Sequence, residues 1–218
     1  MPSTADNAGA NRGGDEKLFL AIVIALALVA GVGSWFAAAA FSRHDQLHGI
    51  LPDQPRRLQD FTLTDTTGRT VTQADLTGKF LVVSFLFTSC SLTCPEVSRR
   101  MAEIQQLTAT NTDVCLLSLT VDPRSDTPPV LAKWGARFGA DPNRWFLLTG
   151  SKAQLHGLIG ASFLATDTNN PFVSMPGNFT GTERIAVVDR QGRTRIYFDG
   201  LRVETPAAVV AEIKRLRH

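Results

Sequence analysis

Two cysteines separated by three residues, Cys90 and Cys94, lie where an apolar run gives way to a helical pattern. Residues 80–87 are almost continuously apolar and predict a buried strand, and a helix is predicted to start at Cys94 and Pro95, because proline suits the first helical position. Backbone N–H groups at a helix start carry partial positive charge, which stabilises a neighbouring thiolate and lowers its pKa. The spacing therefore predicts two reactive thiols at the carboxyl end of a strand.

A thiol pair of this kind can exchange with disulfides or bind a metal ion. Cys90, in the loop, is predicted to attack, and Cys94 to resolve the mixed disulfide. The alternative is a static disulfide that staples the loop, but a bridge over so few residues removes little chain entropy. A peroxidase is a weaker alternative, because the threonine expected three residues before a peroxidatic cysteine is replaced by Phe87 and Ser91. The third cysteine, Cys115, is predicted to be a small core residue.

The overall composition limits the classes of function. The 218 residues are 44% hydrophobic, which is enough for one globular domain with an appendage. The 22 basic and 20 acidic residues give a net charge of +2 and no basic run, so we expect no nucleic-acid partner. Three cysteines in a chain of this length do not form a disulfide scaffold.

The first 59 residues predict a membrane attachment. Residues 1–17 are polar and small and predict a disordered tail, and residues 18–41 carry no charge and are long enough to cross a bilayer. A cleaved signal peptide is the alternative, although its apolar region is usually shorter. Flanking charges do not settle the orientation, but a redox thiol pair favours the periplasmic side of a bacterial-type inner membrane. Residues 42–59 are then a linker, in which His44 and His48 are expected to be solvated.

Strands and helices alternate along residues 60–218, which predicts an α/β domain with a mostly parallel central sheet and a closing antiparallel hairpin. Cysteines after the first main strand are typical of a thioredoxin-like fold. The predicted N-terminal transmembrane helix is an addition to that fold. The predicted elements are a hairpin within 61–71, strands 80–87, 114–121 and 145–148, helices from Cys94, Thr127 and Ser151, a long loop 165–182, a hairpin of 185–188 and 194–198, and a helix from Thr205 to Arg217.

Three segments together resemble the SCO/SenC family. Gly78-Lys79 and the apolar strand before Cys90-Ser91-Leu92-Thr93-Cys94-Pro95 match the family's C-x-x-x-C-P arrangement. Residues 119–128 resemble its V-D-P-x-x-D-T-P segment, and residues 184–193 resemble its final hairpin. The resemblance covers about residues 58–217. It implies a thioredoxin-like protein that binds one copper ion through both cysteines and a histidine and helps to assemble the copper site of cytochrome c oxidase.

The resemblance fails at one ligand. The family's histidine aligns near Gly181, and no histidine stands between His156 and His218. Cys90 and Cys94 alone still suit Cu(I), a soft ion that accepts two thiolates. Met175 is a candidate third ligand, although a loop methionine more often merely packs. His156 is expected to be an ordinary helix residue.

Asp122 follows the second buried strand at the same sheet end as Cys90. It is a candidate proton carrier or a neighbour of a bound metal, and the alternative is that it only shapes the turn before Pro123. Arg99 and Arg100 are expected on the solvated face of the cysteine helix.

Three functions remain open from the sequence. The first is a membrane-anchored SCO-like protein that delivers copper to, or maintains the thiols of, the copper-binding subunit of a respiratory cytochrome oxidase. The second is a copper-independent thiol–disulfide reductase or redox sensor outside the cytoplasm, acting on another thiol client. The third is a binding module that keeps the fold and uses no cysteine chemistry.

Overall fold

The computed structural model describes residue 24 and residues 49–52, 56–163 and 183–217. Apart from Ile24, these residues belong to a compact unit that spans Leu47–His218. The predicted tail and most of the predicted anchor and linker lie outside the described residues, as do the loop 165–182 and Met175. Within the described residues, no helix combines the length and the apolar character that a bilayer crossing requires.

A five-stranded mixed sheet forms the centre of this unit. Its strand order is β5-β4-β3-β6-β7, and a separate two-stranded sheet pairs β1 with β2. Strands β3, β4 and β5 run parallel, whereas β6 is antiparallel to both β3 and β7. The strands are β1 Thr62–Thr64, β2 Thr70–Thr72, β3 Phe80–Leu86, β4 Val114–Thr120, β5 Trp145–Leu148, β6 Arg184–Val188 and β7 Thr194–Asp199.

Helices cover both faces of the sheet, so β3 and β4 are buried along their whole length. One face packs against α1, α2 and α4 through residues such as Val97, Trp134 and Val209, and the other packs against α3 through Leu155 and Ile159. The helices are α1 Thr93–Leu107, α2 Pro128–Arg137, α3 Lys152–Phe163 and α4 Thr205–Leu216, with a 3₁₀ turn at Ala74–Leu76.

The predicted thioredoxin-like α/β fold with a closing antiparallel hairpin is confirmed, with two differences of detail. The sheet is mixed rather than mostly parallel, because the hairpin joins the centre of the sheet by pairing β6 with β3. Helix α1 begins at Thr93, so Pro95 is its third residue. Proline is tolerated there because the first four N–H groups of a helix have no partner within the helix.

Chain before the predicted domain boundary also contributes to the sheet. Ile50 forms an antiparallel bridge with Tyr197, and Arg57 forms one with Arg193. Leu58 is buried in the core and its amide donates to the Gly192 carbonyl at 2.7 Å. Part of the segment expected to be a linker therefore runs along the outer edge of β7.

Candidate functional site

The two cysteines lie at the carboxyl end of β3, in the connection to α1. Strand β3 ends at Leu86, and the Cys90 amide donates to the Phe87 carbonyl at 3.1 Å, which closes a tight turn after the strand. Cys94 is the second residue of α1. Between them, the Leu92 side chain is 79% exposed, so the loop opens to solvent on its outer side.

The sulfur of Cys90 is partly exposed and accepts a hydrogen bond from α1. The Cys94 amide donates to Cys90 Sγ at 3.3 Å, and the Thr93 hydroxyl lies 3.3 Å from the same sulfur. Partial burial raises the pKa of Cys90, but the hydrogen bonds from Thr93, Cys94 and Leu92 outweigh it and lower the pKa to about 7. About half of the Cys90 side chains are then thiolates at neutral pH.

Cys94 has the opposite environment. Its side chain is fully buried in the cluster that also holds Val97 and Met101 of α1. Burial is the main cause that raises its pKa to about 12, and the neighbouring Cys90 adds to the rise. The pair thus combines an accessible sulfur that ionises near neutral pH with a buried sulfur that stays protonated there.

A buried carboxylate joins the ends of β3 and β4 beneath the cysteine loop. Asp126 is fully buried and accepts hydrogen bonds from the Thr88 amide at 3.1 Å, the Thr88 hydroxyl at 2.5 Å and the Thr120 hydroxyl at 2.5 Å. This arrangement was not predicted from the sequence. Its one signal was a threonine directly after the first apolar run and another near the end of the second, with an aspartate shortly after it.

Asp122 adopts the turn-forming role. Its carbonyl accepts from the Ser125 amide at 3.2 Å and the Asp126 amide at 2.9 Å, and its own amide donates to the Thr120 hydroxyl at 3.0 Å. These backbone contacts fit the turn alternative. A part for its carboxylate in proton transfer stays a prediction.

The other candidates lie away from the thiols. His156 is on α3, which packs on the opposite face of the sheet from α1, and Cys115 is 3% exposed within β4, as predicted for a core residue. Arg99 is exposed and pairs with Glu96 at 2.9 Å. Arg100 was predicted wrongly, because its side chain is only 13% exposed and turns along α1 to reach Glu103 at 2.6 Å.

The donor set suits a soft ion held by two sulfurs. Among the described residues, no group of three or more histidine, cysteine or carboxylate side chains is arranged to hold a metal. Two cysteine sulfurs in direct interaction, one of them ionised near neutral pH, match the preference of Cu(I) for thiolates and for low coordination.

The comparisons with known proteins agree with this fold. The SCO1 protein homolog of Bacillus subtilis (strain 168) is 33% identical over 110 residues, which cover 50% of this chain and 57% of that relative. The chain therefore spans less than two thirds of the length of this curated relative.

Two solved structures are similar along nearly their full length. BsSco, a member of the Sco family of cytochrome c oxidase assembly proteins in which a disulfide switch was identified, has a TM-score of 0.63 at 24% identity and covers 77% of this chain and 96% of its own; at that identity it supports the fold alone. Bradyrhizobium japonicum ScoI with copper bound has a TM-score of 0.57 at 26% identity, covering 72% and 98%. The family model SCO1/SenC matches residues 51–218, and the chain belongs to the SCO1/SenC family.

Proposed function

We propose that this chain is a membrane-anchored SCO-type assembly protein that delivers copper to, or maintains the thiols of, the copper site of a respiratory cytochrome c oxidase. The observation that carries the proposal is the pairing of a partly exposed Cys90, with a pKa of about 7, and a buried Cys94 at the start of α1. Copper bound to the related ScoI supports it.

The redox reaction follows from the different environments of the two sulfurs. The Cys90 thiolate attacks one sulfur of a client disulfide, which forms a mixed disulfide and releases the first client thiolate. Cys94 then gives its proton to the client thiolate released first and attacks Cys90 Sγ, which forms the Cys90–Cys94 disulfide and releases the second client thiolate. The client gains two electrons, the pair loses two, and a thiol reductant must reduce the pair before another cycle.

Copper transfer uses the same atoms without a change in their oxidation state. Cys90 and Cys94 would hold Cu(I) as thiolates, so binding would release the proton of Cys94 and any proton that remains on Cys90. A two-sulfur site leaves room for a ligand of the recipient protein, which favours handover. Met175, outside the described residues, remains the candidate for a third ligand within this chain.

The site of action follows from the sequence before the domain. We propose that residues 18–41 anchor the chain in a bacterial-type inner membrane as a single span, with residues 60–218 in the periplasm. The uncharged length of that segment supports the anchor. Redox-active thiols support the periplasmic side, because the cytosol keeps cysteines reduced.

A Cu(I) titration of the full chain in detergent tests the proposal against a competing Cu(I) chelator. One-to-one binding that is lost in Cys90→Ser and Cys94→Ser, and retained in the matched control Cys115→Ser, supports it. Absence of Cu(I) binding by a chain with both thiols reduced contradicts the copper-delivery half of the proposal. Full oxidase assembly in cells that carry Cys90 and Cys94 both as serine contradicts both halves and leaves the binding module.

The second candidate is a copper-independent thiol–disulfide reductase or redox sensor outside the cytoplasm. The specific observation in its favour is that the described residues offer two sulfurs and no third metal ligand. Reduction of a test disulfide by a chain that does not bind Cu(I) supports this candidate.

A further inference from the structure

The buried Asp126 lies under the loop that carries Cys90, although it is 36 positions later in the chain. Its side chain is fully buried, and within the described part of the chain the hydrogen bonds it accepts come from Thr88 and Thr120. A buried carboxylate without hydrogen-bond donors is costly, so these hydrogen bonds stabilise Asp126 in its buried position.

The donors come from the two points where the parallel strands end. Thr88 is two residues after the end of β3 and two residues before Cys90, and it contributes both its amide and its hydroxyl. Thr120 is the last residue of β4 and donates its hydroxyl. Asp126 therefore ties Thr88 to the end of β4 beyond the last backbone pairing of the two strands, in which the Val121 amide donates to the Leu86 carbonyl at 2.8 Å.

The Thr120 hydroxyl also orders the segment that carries Asp126. Its oxygen accepts the Asp122 amide at 3.0 Å, and the Asp126 amide donates to the Asp122 carbonyl at 2.9 Å. The carboxylate is thus held from its own backbone side as well as by its hydrogen bonds. Because the carboxylate is fixed in this way, its hydrogen bonds also fix Thr88. Thr88 in turn restrains the turn in which the Cys90 amide donates to the Phe87 carbonyl.

We propose that Asp126 is the positioning residue of the thiol site: by fixing Thr88 against the end of β4, it holds the Cys90 loop in the conformation that places Cys90 Sγ beside Cys94. The inference rests on the proposed thiol chemistry of the two cysteines and adds a residue that contacts neither sulfur. Asp126 acts through the loop and takes no part in bond making.

An ordered loop in the reduced state favours disulfide closure, because the loop then loses no further backbone entropy when the bond forms. Closing the bridge against oxidised dithiothreitol removes two protons and two electrons from Cys90 and Cys94 and yields reduced dithiothreitol. Freeing the backbone of even one residue in the reduced state lowers the equilibrium constant for closure by about tenfold. The hydrogen-bond partners of Cys90 Sγ are the Thr93 hydroxyl and the Cys94 amide, both in α1, so a substitution at Asp126 does not remove them.

The test compares Asp126→Ala with the near-isosteric Asp126→Asn. Asparagine keeps an oxygen that accepts from the Thr88 amide and hydroxyl, and its NH₂ group donates to the Thr120 hydroxyl, so the positioning contacts remain. Asp189→Ala is the matched control, because Asp189 is also a buried carboxylate with multiple donors but lies in the β6–β7 turn at the opposite end of the sheet.

Two readouts are measured on the full chain in detergent: the closure constant in dithiothreitol redox buffers, and hydrogen exchange of the Cys90 amide. In Asp126→Ala, we expect the closure constant to fall about tenfold, which is about 30 mV for a two-electron couple, and the Cys90 amide to exchange at least about tenfold faster. In Asp126→Asn, both values should return to within about twofold of the parent, and Asp189→Ala should change neither.

An Ala variant that loses stability like Asp189→Ala but keeps both parent values would show that Asp126 is only structural. An Asn variant that behaves like Ala would also overturn the positioning role. If Asp126→Ala does not fold, Thr120→Val removes one of the three donors, and the same two readouts should change in the same direction by about threefold; no change overturns the proposal. Hydrogen exchange does not depend on copper or a client, so failure of the proposed function would leave this result distinct.

Discussion

Replacing Thr93 by valine should raise the pKa of Cys90 and slow its reactions at neutral pH. The Thr93 hydroxyl lies 3.3 Å from Cys90 Sγ and is the largest of the interactions that lower this pKa. A hydrogen bond to a charged group contributes about 1.5–3 kcal/mol, and each pKa unit corresponds to about 1.4 kcal/mol. Because Cys90 is partly exposed, water replaces part of the lost hydrogen bond. The expected rise in pKa is therefore at the lower end of this range, about one pKa unit. The pKa of Cys90 then rises from about 7 to about 8.

The thiolate fraction at pH 7 then falls from about half to about one tenth, so alkylation by iodoacetamide should slow about fivefold. The assay is a pH series of alkylation rates on the reduced full chain, with the labelled residue identified by mass spectrometry. Thr93→Ser is the matched control, because it keeps the hydroxyl and removes only a methyl group. A Thr93→Val variant whose rate profile keeps its midpoint near pH 7 would refute the assignment of the low pKa to this hydrogen bond.

Three further predictions concern the site and its surroundings. Trp134→Phe removes the indole N–H that donates to the buried Ser98 hydroxyl at 3.0 Å and should lower the free energy of unfolding by about 1–3 kcal/mol in urea, with Cys90 alkylation unchanged. Leu92→Ala should alter the free energy of unfolding by less than about 0.5 kcal/mol, because that side chain is 79% exposed; a larger loss would mean that Leu92 packs. Brief alkylation of the folded, reduced chain should label Cys90 and leave Cys94 and Cys115 unmodified, since both are buried; three labels would contradict the burial.

The position of the thiol pair was predictable because local signals agreed with one another. An uninterrupted apolar run, a short polar connection and a helical pattern allow few arrangements other than strand, loop and helix. The observed β3 and the start of α1 differ from the predicted bounds by one residue each. The starts of the next two helices were equally local: Thr127 directly precedes α2, without a side-chain capping hydrogen bond, and the Ser151 hydroxyl accepts from the Gln154 amide at 3.2 Å at the start of α3.

The contacts that were not predicted join residues far apart in the chain. Thr88 and Asp126 meet only because β3 and β4 are parallel neighbours, and a threonine after a strand has no pattern that names its partner. The pairing of Ile50 with Tyr197 was missed for the same reason, since a segment with two prolines and little alternation does not predict an edge strand. Single-sequence patterns report what is local, and tertiary pairing decides the rest.

The ligand set of the site should decide which oxidation state of copper this chain holds. Cu(II) favours nitrogen and oxygen ligands in a tetragonal arrangement, whereas Cu(I) accepts two thiolates. The described residues place no histidine beside Cys90 and Cys94, and no histidine stands between His156 and His218 in the sequence. We therefore expect this chain to bind Cu(I) and to bind Cu(II) more weakly by at least about tenfold, or about 1.4 kcal/mol.

Gly181→His provides the comparison, because the histidine that the SCO/SenC resemblance implies falls at about position 181. An added imidazole should tighten Cu(II) binding and change Cu(I) binding little, since the two sulfurs already satisfy the softer ion. The measurements are competition with a Cu(I) chelator and a Cu(II) titration followed by electron paramagnetic resonance. A parent chain that binds Cu(II) as tightly as Gly181→His must already supply a nitrogen or oxygen ligand, and the two-sulfur description of the site would then be wrong.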